Sequence, residues 1–265
     1  MQQRFIKQGI KTIIYLLTKS ISWISGKLAS LNLAPPLNTL IIKAYAKLYK
    51  INTTELPLSI EKYKSLQEFF CREPKPSSRP IANSYLISPV DGLLREVRKL
   101  SGNVLFKVKK MDFTLSSLVL EDIEPNKTFS FFYFYLSPSD FHHVYSPIKG
   151  EIIEARCING ALLPVNNLFN KILPQVIFIN ERVVIKIKER ENILWLVMVG
   201  ALNVGSIELA FTINKTGKTT LSLPVKQGDK LGTFKMGSAV LLISEKDLTS
   251  PLKPPVRVKI GEKIA

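Results

Sequence analysis

The sequence predicts an α+β fold: a mostly antiparallel β body, barrel-like or sandwich-like, preceded by amphipathic helices. Three observations predict it. Helical periodicity dominates up to about residue 72. A proline-rich segment, Glu73-Pro74-Lys75-Pro76-Ser77-Ser78-Arg79-Pro80, then interrupts the chain. Beyond it, short β-branched or aromatic runs recur between turn residues. A length of 265 residues suits one large domain, or one domain with an appendage. The natural division is a helical region, 1–72, and a β-rich body, 73–265.

Taken in order, Phe5, Ile6, Ile10, Ile13, Ile14 and Leu17 recur at helical spacing, with Arg4, Lys7, Gln8, Lys11 and Thr18 on the other side. Leu37–Lys50 is a second amphipathic stretch and Ser65–Cys71 a short third. The proline segment reads as an extended linker, because proline fixes φ and lacks a donor. Strands are expected at Leu86–Val90, Leu93–Val97, Val104–Val108, Phe129–Leu136, Val183–Ile187, Ile193–Val199, Val204–Phe211, Thr219–Leu223 and Val240–Ile243. A short helix is expected at Thr114–Leu120.

The formal charge is +16, and residues 1–54 carry eight Lys/Arg with no Asp or Glu. Such a field attracts nucleic acid or an anionic membrane face. The basic residues are interleaved with Ile and Leu rather than with an aromatic platform, which favours membrane over nucleic acid. The charge-free run Leu28 to Ile42 is 15 residues long and contains Pro35-Pro36, too short and broken to span a bilayer. No clean small-residue site marks a cleavable signal. Cys71 and Cys157 form neither a metal knuckle nor a disulfide framework, so a reducing compartment is expected. With only two histidines, His142 and His143, zinc chemistry built on several imidazoles is excluded.

Four places hold candidate chemistry. Ser88-Pro89-Val90-Asp91-Gly92 sets a carboxylate at a strand end, although Asp-Gly also reads as a hairpin turn. Ser137-Pro138-Ser139-Asp140-Phe141-His142-His143-Val144-Tyr145-Ser146-Pro147 holds both imidazoles, either general acid–base groups or plain hydrogen-bonded residues at a sheet rim. Val199-Gly200-Ala201-Leu202-Asn203-Val204-Gly205-Ser206-Ile207 suggests close backbone approach, with amides that suit an oxyanion or merely a turn. Lys226 to Gly232 is a turn that delivers the chain through Phe234 into Gly237-Ser238. That Gly-Ser bond is either an ordinary turn or a bond the protein breaks in itself.

In this order the segments resemble the bacterial-type phosphatidylserine decarboxylase family. The resemblance begins at Leu66-Gln67-Glu68-Phe69-Phe70 and Arg79-Pro80-Ile81. It continues through Ser88 to Gly92, Leu136 to His142, Asn180-Glu181-Arg182-Val183, Val199-Gly200-Ala201, Val204 to Glu208 and Gly232 to Val240. It implies that Ser238 attacks the Gly237 carbonyl and that β-elimination of the ester leaves a pyruvoyl cofactor derived from Ser238. Chains 1–237 and 238–265 would stay associated. The pyruvoyl carbonyl would form a Schiff base with phosphatidylserine, whose decarboxylation yields phosphatidylethanolamine. It also implies a peripheral place on the cytoplasmic face of the cell membrane, with phosphatidylserine and the anionic surface as partners and nucleic acid as none.

Residue by residue, the family's aspartate falls on Asp91, and its first histidine, linked to decarboxylation, on His142. The histidine expected to drive cleavage falls on Tyr145, a phenol and a poor base. Three readings stay open. His142 or His143 serves Ser238, with Asp91 orienting it; or Tyr145 acts as a slow base or only positions Ser238; or the chain is a non-maturing homologue that binds anionic phospholipid. If residues 140–144 are extended, the two histidines point to opposite faces and at most one reaches the site. A carrier-domain reading of Gly228 to Met236, with Lys235 as attachment point, sits poorly with signals extending from Leu66 to Val240.

Overall fold

A computed structural model of the chain describes residues 2–101, 104–108, 111–165, 175–201, 207–214, 216–235 and 238–265, with backbone alone for 2–14, 104–108 and 111–112. Helices α1 (Gln2–Ala29), α2 (Pro35–Leu48) and α3 (Leu66–Phe70) come first. Pro35 and Pro36 open α2, where the missing donors would have had no intrahelical partner. Ser65 caps α3, its Oγ accepting from the Glu68 amide at 3.1 Å. The segment Glu73–Pro80 departs from the expected extended linker: Pro76–Ser78 form a 3₁₀ turn, since proline's φ suits a turn as well as a strand.

The strands follow: β1 (Gly92–Ser101), β2 (Val104–Val108), β3 (Met111–Thr114), β4 (Thr128–Leu136), β5 (His143–Tyr145), β6 (Gly150–Ile158), β7 (Arg182–Glu189), β8 (Asn192–Gly200), β9 (Ile207–Leu209), β10 (Gly217–Val225), β11 (Lys230–Phe234), β12 (Ser238–Ser244) and β13 (Val256–Val258). Eight of them form one antiparallel sheet, in the order β10-β6-β7-β8-β12-β4-β1-β13. A smaller antiparallel sheet, β5-β11-β9, covers one face, and β2-β3 is a separate hairpin. The protein is therefore α+β with a sandwich-like antiparallel body.

Strand β12 is central, and every residue in it is buried. Val240 and Leu242 face the small sheet and meet Phe134, Met198, Leu231 and Phe234. Ala239, Leu241 and Ile243 face the other way, toward Trp195, Phe131 and helix α4 (Leu115–Val119). Two-sided burial explains why this strand reads as an unbroken apolar run. Leu86–Val90 differs from expectation: it forms no ladder but an isolated bridge, Ile87 to Lys263, with backbone bonds from Leu86 and Ser88 to Ala265 and Glu262, and Pro89 offers no donor to extend it. Within the expected strand Val204–Phe211, Ile207–Leu209 form β9, and 204–206 lie outside the described residues.

The helical region is packed onto the body, not tethered beside it. Ile42, Tyr63 and Phe69 share a core cluster with Phe141 and Ile260. Helix α1 turns Ser22 inward at 0% exposure, while Leu17, Ile21, Trp23, Ile24 and Leu28 stand exposed. The part of its apolar stripe from Phe5 to Ile14 lies outside the described side chains. No helix among the described residues is long and apolar enough to cross a membrane.

Candidate active site

Strand β4 ends at Leu136, and Ser137-Pro138-Ser139-Asp140 turns the chain. Pro138 presets the turn, which closes with the Asp140 amide donating to the Ser137 carbonyl at 2.9 Å. The Asp140 carboxylate accepts from the Ser137 amide and hydroxyl, both at 2.7 Å, and pairs with Arg257. From the other side, the buried Arg72 guanidinium donates to Ser139 O at 2.7 Å, Asp140 O at 3.1 Å, and Phe69 O at 3.3 Å. The loop is thereby stitched to α3.

This loop aims His142. Its Nε2 lies 3.1 Å from Ser137 O, a pure acceptor, so Nε2 carries the proton and Nδ1 keeps its lone pair. Nδ1 faces Ser238 Oγ at 3.5 Å, a long hydrogen bond of the kind common before a reacting complex tightens. The Phe70 ring stacks on the imidazole at 4.0 Å between centroids and 26°. Burial, and after it the Arg72 charge, holds the pKa of His142 well below the ordinary histidine value, so the ring is neutral at pH 7.

Ser238 opens β12, pairs in register with Leu136 and Gly200, and is fully buried. The Gly200 amide donates to Glu181 O at 2.9 Å, so it is not a free oxyanion donor. The rest of the expected glycine-rich donor segment, 202–206, lies outside the described residues, as do Met236 and Gly237 of the expected scission point. Upstream, the Phe234 amide donates to His142 O at 2.9 Å, which ties the strand leading into Ser238 to the histidine's own backbone.

The other expected residues sit elsewhere. Asp91 accepts from Arg79 Nε at 2.9 Å, Arg79 Nη2 at 2.6 Å and the Ile260 amide at 2.8 Å, partners that include no histidine. Gly92 starts β1 and does not form a hairpin turn; a Cβ there would meet Tyr135 O at 2.7 Å. Tyr145 packs on the cluster of α2 and α3, its amide bonded to Pro89 O at 2.9 Å. Burial, then Glu73 and Asp91, push its pKa up to about 12, away from that of a base. His143 points opposite to His142: Nδ1 meets Thr233 Oγ1 at 2.8 Å and Nε2 meets Cys71 O at 2.9 Å.

Sequence reasoning missed Phe70, Arg72, Ser137, Asp140 and Arg257 as parts of the histidine's setting. A signal existed for one pair: Phe70 and Arg72 close a short helix just before the proline segment, where an arginine beside apolar residues suggests a buried guanidinium.

The chain as a whole is similar to known proteins of one family. A sequence model of phosphatidylserine decarboxylase matches residues 66–265. A phosphatidylserine decarboxylase proenzyme of Helicobacter pylori (strain Shi470) is 34% identical over 261 residues, covering 94% of this chain and 97% of that one. Another, from Geobacillus sp. (strain WCH70), is 30% identical over 248 residues, covering 91% and 92%. A third, from Brevibacillus brevis, is 35% identical over 227 residues, covering 80% and 81%.

Proposed function

This chain belongs to the phosphatidylserine decarboxylase family, and from that premise we propose that it is a self-cleaving, pyruvoyl-dependent enzyme. On this reading it converts phosphatidylserine to phosphatidylethanolamine at the cytoplasmic face of the cell membrane. The contact between Ser238 and neutral His142 carries the reading. A serine hydroxyl is a weak nucleophile until a base within hydrogen-bond reach takes its proton. His142 Nδ1 accepts the Ser238 Oγ proton as that oxygen bonds to the Gly237 carbonyl carbon. The Gly237–Ser238 carbon–nitrogen bond breaks and the departing nitrogen takes up the proton, leaving an ester; its β-elimination would release the Gly237 carboxylate, and hydrolysis with loss of ammonia would leave the pyruvoyl group on the shorter chain. The ring keeps its orientation throughout because Ser137 O holds Nε2–H.

The halves are expected to remain together, since the short chain would own β12, paired along its length with both β4 and β8, and β13, paired with β1. A pyruvoyl group derived from Ser238 suits its place: the position is fully buried, and its neighbour His142 is uncharged. That group supplies an electron sink for decarboxylation, which no amino-acid side chain offers. His142 is the residue at hand for moving protons there, sealed from water by Phe70.

Membrane attachment is supported by α1 and α2. Leu16, Trp23, Leu28, Leu40 and Leu48 are 57%, 64%, 62%, 64% and 72% exposed, on a segment without acids before Glu55. Such a surface suits the boundary of an anionic bilayer.

Intact mass under denaturing conditions tests the cleavage: chains of residues 1–237 and 238–265 are expected, the shorter without a serine amine. Release of carbon dioxide from phosphatidylserine vesicles tests the reaction. An uncleaved, inactive chain that still binds anionic vesicles would favour the non-maturing homologue instead.

A further inference from the structure

A groove of about 460 Å³ opens between the β6–β7 end of the large sheet and the segment carrying β9. Its walls include Ile158, Val183, Ile207, Leu209, Phe211 and Ile213. Three charged side chains in its lining are already engaged. Glu181 holds Lys19 at 2.6 Å, Glu208 holds Lys235 at 3.3 Å, and Arg182 donates to the carbonyls of Ser117, Leu118, Phe178 and Asn180. The rest of the lining is mostly apolar, with Asn159 and Thr212 beside it, and suits a largely apolar occupant.

The groove faces the same layer as the candidate nucleophile. Val183 and Val240 both belong to the core between the sheets, and Ser238 shares the face of Val240 by strand alternation. The registers Val183 to Met198 and Val240 to Met198 place β7 two strands from β12, about 10 Å at ordinary strand spacing. Opposite Ser238 in β8 stands Gly200, and the place a side chain would take there is filled by Leu162, whose Cδ2 would lie 3.3 Å from such a Cβ. The mouth also adjoins α1, through the Lys19–Glu181 pair and the Leu162 amide bonded to Thr18 Oγ1 at 3.3 Å. That helix carries the exposed apolar face read above as meeting the bilayer.

We propose that this groove seats one acyl chain of the phospholipid substrate, drawn from the bilayer beside α1, while the headgroup reaches toward Ser238. The inference rests on the lipid-substrate reading of the preceding subsection.

Phosphatidylserine carrying a diazirine near the end of one acyl chain, in phosphatidylcholine vesicles with the full-length Ser238→Ala protein, gives a test independent of cleavage and turnover. Adducts are expected on peptides covering 157–159, 181–183 and 207–213. Adducts confined to α1 and α2 would overturn the proposal. With the mature protein, kcat/KM for soluble short-chain phosphatidylserines, divided by that for glycerophosphoserine, is expected to rise about fourfold per added methylene until the groove is full. Ile207→Trp should flatten that series by occupying the groove, whereas an equal loss on both substrates would count against it. If neither compound is decarboxylated, the functional reading fails, and the adduct map still decides the groove.

Discussion

His142 presents Nδ1 to Ser238 Oγ at 3.5 Å, across the junction between the loop after β4 and the first residue of β12. The two residues are 96 positions apart, and both are fully buried. A buried, neutral imidazole whose other nitrogen is fixed by a carbonyl is a prepared proton acceptor, which suits the proposed role of His142 as the base for Ser238.

Replacing His142 with Gln should therefore slow self-cleavage by about 10²- to 10⁴-fold, the usual worth of a general base. Ser238→Ala should abolish it. Time courses of fragment formation, followed by intact mass, check both. Wild-type cleavage in His142→Gln would remove the histidine from this role. Asp140→Ala should give a smaller defect, because it frees Ser137, whose carbonyl fixes the tautomer, without removing the base.

Tyr145→Phe should leave the cleavage rate essentially unchanged. Its phenol packs on the α2–α3 cluster, and burial raises its pKa to about 12. Were the phenol the base, its loss would slow cleavage by at least about 10²-fold. The same time course separates the outcomes.

Particular residues show what the chain discloses by itself. The aromatic run Phe129 to Leu136 and the apolar run Val240 to Ile243 announce β4 and β12, because an unbroken apolar run of strand length reports burial on both faces. Strands β6 and β11 are not announced. In β6, Glu151, Glu154 and Arg156 interrupt the apolar pattern, their charges balanced by pairs such as Arg156–Glu154 and Lys218–Glu154 that only the folded sheet brings together. At the site, motif order is enough to nominate His142 and Ser238. It does not disclose that Asp91 belongs to Arg79, or that Phe70 covers the imidazole, since both are pairings of tertiary structure. Helix α1 makes the same point: its two faces are visible in the pattern, yet which of them meets the body is decided by Glu181 and Leu162, more than 140 positions away.

Asp91 and Arg79 form a buried pair at 2.6 Å, with side chains 9% and 5% exposed. Removing Arg79 leaves the Asp91 charge buried, so Arg79→Ala should destabilise the fold by about 3–5 kcal/mol, whereas Asp91→Ala should cost less, because Arg79 keeps Glu55 at 2.6 Å. The double substitution should cost less than the sum of the two. Urea unfolding in a Ser238→Ala background, where the chain stays in one piece, measures this. A cleavage defect with no loss of stability would return Asp91 to the role of orienting the base.

Acid should destabilise the protein before its carboxylates titrate. Burial, followed by the charge of Lys230, pushes the His143 pKa down to about 4; burial, followed by Arg72, holds that of His142 well below its ordinary value. In the unfolded chain both return to about 6.5. Between that value and the depressed folded one, the unfolded state binds protons that the folded state refuses, so stability rises with pH across the window. It is complete above about pH 6.5 and is lost as pH falls toward about 4, by up to about 1.4 kcal/mol per pH unit for each histidine. Carboxylates titrate near 4, so a loss that begins between about pH 6.5 and about pH 5 belongs to the histidines. Urea midpoints of the Ser238→Ala precursor should fall over that interval, and His143→Gln should reduce the slope by about half, since one of two titrating groups is removed. A midpoint that stays level from about pH 7 to about pH 5 would mean that neither ring is held neutral by burial, and would take the prepared base at Ser238 with it.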